Sequence, residues 1–295
     1  MGAADIVPGV SGGTIALLFG IYGRLVASVR AGSSCLGNLV RLDGRAALGW
    51  LGAVEWRFVL PLLAGILVAL FALAGLLDTL LTDYPVQMAA VFLGLIIGSI
   101  IVVWELPSRW DAPRVGLLVA TTVVVFIVLG LREGTSEETV SQAADPAMIA
   151  FFLAGAVAIC AMILPGISGS FILVLLGMYT AVLDALTDRD LGVLVVFALG
   201  AVIGLALFSQ VLHWGLSKHY DTIIAILIGL MAGSTRVLWP WPDGLDSTRL
   251  ESPDESVAVA ILLGVAAAVI VVVLGVIARR AEKRTPAGQA EELRA

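Results

Sequence analysis

Charged, sulfur-bearing and imidazole side chains are all scarce in this chain, and each shortage removes a class of function. Only 14% of the 295 residues are charged. The two cysteines, Cys35 and Cys160, stand far apart, so neither a disulfide framework nor a thiolate metal site is implied. The two histidines, His213 and His219, fall near one predicted helix end, where an interfacial role outweighs catalysis. No ligand set resembles a metal site, and no cofactor is expected. The first five residues, Met1 to Asp5, lack the basic run of a signal peptide, and Pro8-Gly9 interrupts the apolar stretch behind them, so this segment belongs to the fold. A net charge of −6 gives no basis for a nucleic-acid partner.

What the chain has instead is apolar sequence: 60% of residues, with a mean hydropathy of +1.04. That exceeds the roughly 45–50% of soluble domains. The apolar residues gather in runs of about 17 to 26, the length a helix needs to cross hydrocarbon. The fold class expected is therefore an all-α polytopic membrane protein. Six spans are predicted, at 57–82, 86–105, 114–131, 191–217, 221–239 and 257–278. Two further apolar stretches, 1–29 and 147–186, are each broken by Pro-Gly-x-Ser-Gly and read as re-entrant hairpins, which must line a cavity or be buried in protein.

Basic residues orient this arrangement. Thirteen of the 17, including Arg24, Arg57, Arg114 and the cluster Arg279 to Arg284, fall on one side, which is then cytoplasmic together with both termini. Arg132, Arg189, Arg236 and Arg249 fall opposite, beside the acidic loops 132–146 and 242–255. All seven tryptophans lie near predicted helix ends, as an interfacial belt requires.

The chain repeats itself. Residues 6–22, IVPGVSGGTIALLFGIY, align without gaps on 163–179, ILPGISGSFILVLLGMY, with nine of 17 positions identical. Residues 94–104 likewise match 229–239, and Gly65 and Leu70 match Gly200 and Leu205 in the same register. Each half is one broken hairpin followed by three spans; because three is odd, the second half is expected upside down relative to the first. This is the inverted-repeat plan of secondary transporters. The domains expected are a first repeat at 1–131 (hairpin 1–29, cytoplasmic loop 30–56, three spans), an acidic extracytoplasmic linker at 132–146, a second repeat at 147–279 and a cytoplasmic tail at 280–295. Residues 147–157 give the second motif an apolar lead-in that the first lacks, so the first hairpin reads as truncated.

In each motif the Pro-Gly (Pro8-Gly9, Pro165-Gly166) ends an incoming helix. Ser11-Gly12-Gly13-Thr14, or Ser168-Gly169-Ser170, then begins an outgoing one. A serine caps the new helix, the glycines let an anion approach the backbone, and free N–H groups at the positive dipole end favour a phosphate or carboxylate. Two such ends facing each other suit one phosphate group, the competing reading being helix kinks made for packing. The glycine pairs 94/98, 200/204 and 229/233 do read as close-packing contacts.

Gly9 to Gly13 also fits the G-x-S-x-G serine-hydrolase elbow, but the context is helical, a histidine base is missing and the second copy breaks the pattern. The chain is thus not expected to be an enzyme. Arg236, in Gly233-Ser234-Thr235-Arg236, is either a phosphate contact or an interface anchor beside Trp239, since arginine at that depth is costly unless used. Asp5 either caps a helix or carries a coupling proton. Arg24 and Arg57 are weaker candidates for attracting headgroups at the cytoplasmic mouth.

GAADIVPGVSGGTIALLFGIY, AMILPGISGSFILVLLGMY and GLMAGSTRVLWPW together resemble the polyprenyl-phosphate transporter family over nearly the whole chain. The resemblance implies a plasma-membrane protein that returns undecaprenyl phosphate or a related carrier lipid from the outer to the inner leaflet for envelope synthesis, with proton or ion coupling as an open possibility. It also implies that Asp5, Pro8 to Thr14, Pro165 to Ser170 and Arg236 occupy the motif positions. A small soluble anion as substrate, and less readily a lipid-phosphate enzyme, are the rival readings.

Overall fold

The computed structural model describes residues 1–2, 11–130, 146–242, 244, 249–253 and 257–284. Asp5, Pro8, Gly9 and nearly all of the acidic linker lie outside them. Among the described residues the structure is helical throughout. The first half holds α1 (Gly12–Leu18), α2 (Tyr22–Val40), α3 (Gly44–Ala53), α4 (Trp56–Asp83), α5 (Pro85–Val103) and α6 (Ala112–Gly130). The second holds α7 (Met148–Ile163), α8 (Gly169–Leu175), α9 (Tyr179–Thr187), α10 (Leu191–Lys218), α11 (Tyr220–Ser234) and α12 (Val257–Arg284).

Repeat-related sequence takes repeat-related shape. Ser11 and Ser168, both in extended conformation, precede α1 and α8. Those helices end at Gly20 (φ 69°) and Gly177 (φ 67°), left-handed positions that only glycine fills cheaply. The same closing bonds follow, Ile21 N–H to Ala16 C=O and Met178 N–H to Leu173 C=O, both 2.9 Å. Tyr84 (φ −135°, ψ 53°) joins α4 to α5, and His219 (φ −135°, ψ 44°) joins α10 to α11 in the same way.

Five helices are long and apolar enough to cross a membrane: the segments Trp56–Leu73, Pro85–Val103, Ala112–Gly130, Leu191–Lys218 and Val257–Ile277. They match five of the six predicted spans. The sixth, 221–239, differs: α11 has only 15 residues. The chain then tightens into i→i−3 bonds, from Thr235 N–H to Ala232 C=O through Trp239 N–H to Arg236 C=O. Fifteen α residues rise about 22 Å and five residues with i→i−3 bonds about 10 Å, a combined length comparable with a ~30 Å core. Segment 30–56, expected to be a loop, is mostly helix: α2 runs on to Val40 and α3 follows. The extension of α2 rests on α10, where the buried Ser33 and Ser209 hydroxyls lie 3.3 Å apart.

The middle helices of the two halves, α5 and α11, form the centre, with Ile96, Val103, Ile224, Ile228 and Met231 buried in one cluster with Ala16, Leu17 and Tyr22 from the first motif. Each is backed by the last span of the other half. A methyl on Gly94 or Gly98 of α5 would strike the backbone of Gly264 or Ala268 in α12. One on Gly229 or Gly233 of α11 would strike α6 at Leu118 and Thr121, or at Thr122 and Val125. Gly200 and Gly204 of α10 seat against Phe152 and Ala156 of α7 in the same manner. These are the small-residue contacts expected of the glycine pairs, since bare backbone is what allows close van der Waals approach where lipid gives no hydrophobic gain.

Tryptophans mark the helix ends. Trp104 and Trp110 stack with centroids 4.3 Å apart where α5 turns into α6, and Trp239 meets Trp241 edge-on at 5.5 Å beyond α11. The Trp239 ring N–H donates to the Glu251 carbonyl at 3.0 Å, so its polar edge is satisfied outside the helix while its ring stays apolar.

Candidate functional site

The two sequence motifs, 157 positions apart, are in direct contact. Helix α7 stops at Pro165, which holds Leu164 in extended conformation (φ −73°, ψ 132°). Gly166 then turns with φ 83°. This break exposes the carbonyls of α7's last turn, and the start of α1 fills them. The Ser11 hydroxyl donates to Leu164 C=O at 3.1 Å, and its oxygen accepts from Gly13 N–H at 3.0 Å. Thr14 Oγ1 accepts the Gly166 N–H at 3.0 Å, and the Tyr22 hydroxyl donates to Ile163 C=O at 3.2 Å. Ser11 and Thr14 are each 1% exposed. Polar groups this deep are tolerable only because they pair with one another.

The glycine at position 13 has a steric reason. A Cβ there would sit 2.5 Å from the Ile163 carbonyl oxygen. Its repeat partner, Ser170, is exposed, so a side chain is permitted, and its hydroxyl pairs with that of Ser168 at 2.8 Å. Unlike Ser11, Ser168 caps no backbone N–H of its own helix. Pro165, Gly166, Ser168, Gly169, Gly12 and Gly13 are all buried. Gly166 is in turn pressed by α11: a Cβ on it would lie 2.9 Å from Met231 Cα and 3.1 Å from Ser234 Oγ.

Two residues beyond Ser234, Arg236 leaves the junction and lies on α6. Its Cζ is 4.9 Å from the Phe126 ring centroid, and it covers Gly130, where a Cβ would fall 2.5 Å from Nη2. Its Nε is buried and unbonded, and among the described residues no carboxylate pairs with it. Among the described residues, Arg236 is the one charged side chain lining a cavity of about 450 Å³ with Leu93, Ile97, Ile100, Phe126, Ala232, Trp239 and Leu250. None of the described motif residues lines this space.

Arg24 and Arg57 belong elsewhere. Both line a second cavity, of about 560 Å³, at the α3–α4 turn. There Arg24 donates through Nε to Glu55 at 3.1 Å and stands 4.5 Å over the Phe58 ring. Sequence reasoning missed Tyr22, Phe126 and Gly130. Tyr22 ends the repeated motif and is matched by Tyr179, a signal that was available; Phe126 and Gly130 carry none.

The sequence model of the undecaprenyl phosphate translocase-like family matches residues 1–257. A polyprenyl-phosphate transporter of Vibrio cholerae is 39% identical over 259 residues, covering 87% of this chain and 80% of that protein. A polyprenyl-phosphate transporter of Staphylococcus aureus is 30% identical over 251 residues, covering 81% of this chain and 83% of that protein. No solved structure matches the chain.

Proposed function

Because the chain belongs to the undecaprenyl phosphate translocase-like family, we propose that it carries polyprenyl phosphate across the bilayer, with the junction of its two motifs as the phosphate's crossing point. It is a multi-pass membrane transporter, and it moves the lipid without changing it. The carrier lipid is undecaprenyl phosphate or a close relative, taken from the outer to the inner leaflet of the plasma membrane for reuse in envelope synthesis, with both termini cytoplasmic.

The observation that carries this reading is the interlock of the motifs. The Gly13 and Gly166 N–H groups point at hydroxyl oxygens of Ser11 and Thr14, so those oxygens stand where phosphate oxygens would accept. An exchange from neutral to charge-assisted hydrogen bonds raises each from about 0.5–1.5 to about 1.5–3 kcal/mol. A phosphate entering the junction therefore displaces the serine and threonine as acceptors on favourable terms; the freed hydroxyls turn to donate to it, and they close the backbone again once it leaves. The halves are related as an inverted repeat, which gives the junction two equivalent approaches, one from each leaflet. The isoprenoid chain stays in lipid throughout; only the charge needs shelter.

Inward movement of a phosphate monoester carries about −1.5 to −2 charges into a negative interior. At about 2.3 kcal/mol per charge per 100 mV this opposes transport by roughly 3.5–4.6 kcal/mol. A proton or another cation travelling with the lipid offsets that opposition, and Asp5 is the nearest acidic residue in sequence to the first motif. The test is native mass spectrometry of the purified protein. Wild-type chain retains a polyprenyl phosphate, whereas Ser11→Ala and Ser168→Ala lose most of it; retention of the same lipid load by both variants would rule out the junction as the phosphate site.

A further inference from the structure

The 450 Å³ cavity between α5, α6 and the 3₁₀ turn after α11 is not part of the motif junction, and its chemistry is specific. Its walls are mostly apolar, and Ile97 and Leu250 at its rim are each nearly half exposed. One cation, Arg236, stands in it. That guanidinium is held against Phe126 and the bare backbone of Gly130, with a buried Nε that has no partner among the described residues. Among the described residues this charge has no counter-charge, and an anionic ligand would supply one. A soluble anion has no use for apolar walls, and a neutral lipid has no use for arginine. The pair of features fits a molecule whose phosphate is joined directly to a hydrocarbon chain.

We propose that this cavity is the loading subsite for polyprenyl phosphate, with Arg236 on the phosphate and the first isoprene units against Ile97, Ile100 and Phe126. This rests on the transport reading above. The volume lies within the roughly 300–1,000 Å³ of small-ligand pockets, enough for the head of the lipid and not for a long chain, which extends out past the half-exposed Ile97. Arg236 is two residues from Ser234, which abuts Gly166. A phosphate released by Arg236 is thus handed to the motif junction. With both termini cytoplasmic as proposed above, the acidic segment around Glu251 and the Trp239–Trp241 pair fall at the extracytoplasmic leaflet, and the subsite with them.

The probe is farnesyl phosphate, titrated into the full chain in detergent and followed by isothermal titration calorimetry, with inorganic phosphate and farnesol as separate ligands. Farnesyl phosphate binds, and the other two bind at least tenfold more weakly because each offers half of the recognition. Arg236→Gln and the cavity-filling Ala232→Phe each weaken binding by about ten- to a hundredfold. Ile97→Trp, a milder filling at a half-exposed position, does the same to a lesser degree, and Val68→Phe on the exposed face of α4 changes nothing. Unchanged farnesyl phosphate affinity in Ala232→Phe and Ile97→Trp, or equal affinity for inorganic phosphate, overturns the subsite. Reconstituted wild-type protein separates the two failures. If it moves polyprenyl phosphate and the filled variants move it equally fast, the subsite is wrong; if wild type moves none, the transport reading is wrong.

Discussion

Replacing Gly130 with alanine isolates the role of Arg236 without touching it. The added methyl would lie on the guanidinium, 2.5 Å from Nη2, so the arginine must leave its seat. Arginine is long and flexible, and alanine favours helix over glycine by up to about 1 kcal/mol, so the fold has little to lose. What is lost is local: the contact with Phe126, worth about 0.5–2 kcal/mol, and the aim of a charge-assisted bond to phosphate, worth about 1.5–3 kcal/mol. The second figure alone is a factor of roughly 10 to 150 in affinity. The assay pairs thermal unfolding with prenyl-phosphate binding. The expected result is an unchanged or slightly higher Tm with binding weakened at least tenfold. Wild-type binding at wild-type Tm would refute the reasoning. So would a large fall in Tm, because it would make the contact structural.

Three further outcomes follow from the packing. Thr14→Val leaves the buried Gly166 N–H without its acceptor and costs about 1–3 kcal/mol in chemical or thermal unfolding, whereas Thr14→Ser retains the bond and most of the stability. Gly200→Val forces a side chain into the Phe152 backbone and destabilises by about 1–3 kcal/mol or more, while the repeat-related Gly65→Val, which meets no described atom within 4 Å, is near neutral. Arg24→Ala removes an ion pair with Glu55 that is nearly half exposed on both sides, and changes Tm by less than Gly200→Val does.

How much of this was legible in the sequence depends on whether a feature was repeated. Ser11 and Ser168 as helix starts and the glycine pairs of α5 and α11 show in the sequence because each occurs twice in register, as do Gly20 and Gly177, whose role as helix stops only the folded chain makes plain. Their conformations follow from local rules about caps and bare backbone. The Thr14–Gly166 bond is different. Its counterpart in the second motif is Phe171, so the repeat conceals it, and only the folded chain brings positions 152 apart together. Arg236 was visible as a costly charge, but its seat on Phe126 and Gly130 depends on how α6 lies against α11. The helical character of residues 30–53 was missed because polar residues along α2 resemble a loop, while burial against α10 at Ser33 makes helix the better solution. The shortness of α11 was missed because hydropathy does not distinguish α from 3₁₀ turns.

The most direct test is a leaflet-exchange assay with undecaprenyl phosphate in proteoliposomes, read by the fraction of lipid phosphate open to an external phosphatase over time. Wild-type protein is expected to expose the inner-leaflet pool many times faster than protein-free vesicles, with Thr14→Val and Arg236→Gln falling toward the background rate. An exposure rate in wild-type vesicles no faster than in protein-free ones, with trapped inorganic phosphate escaping instead, would contradict the account.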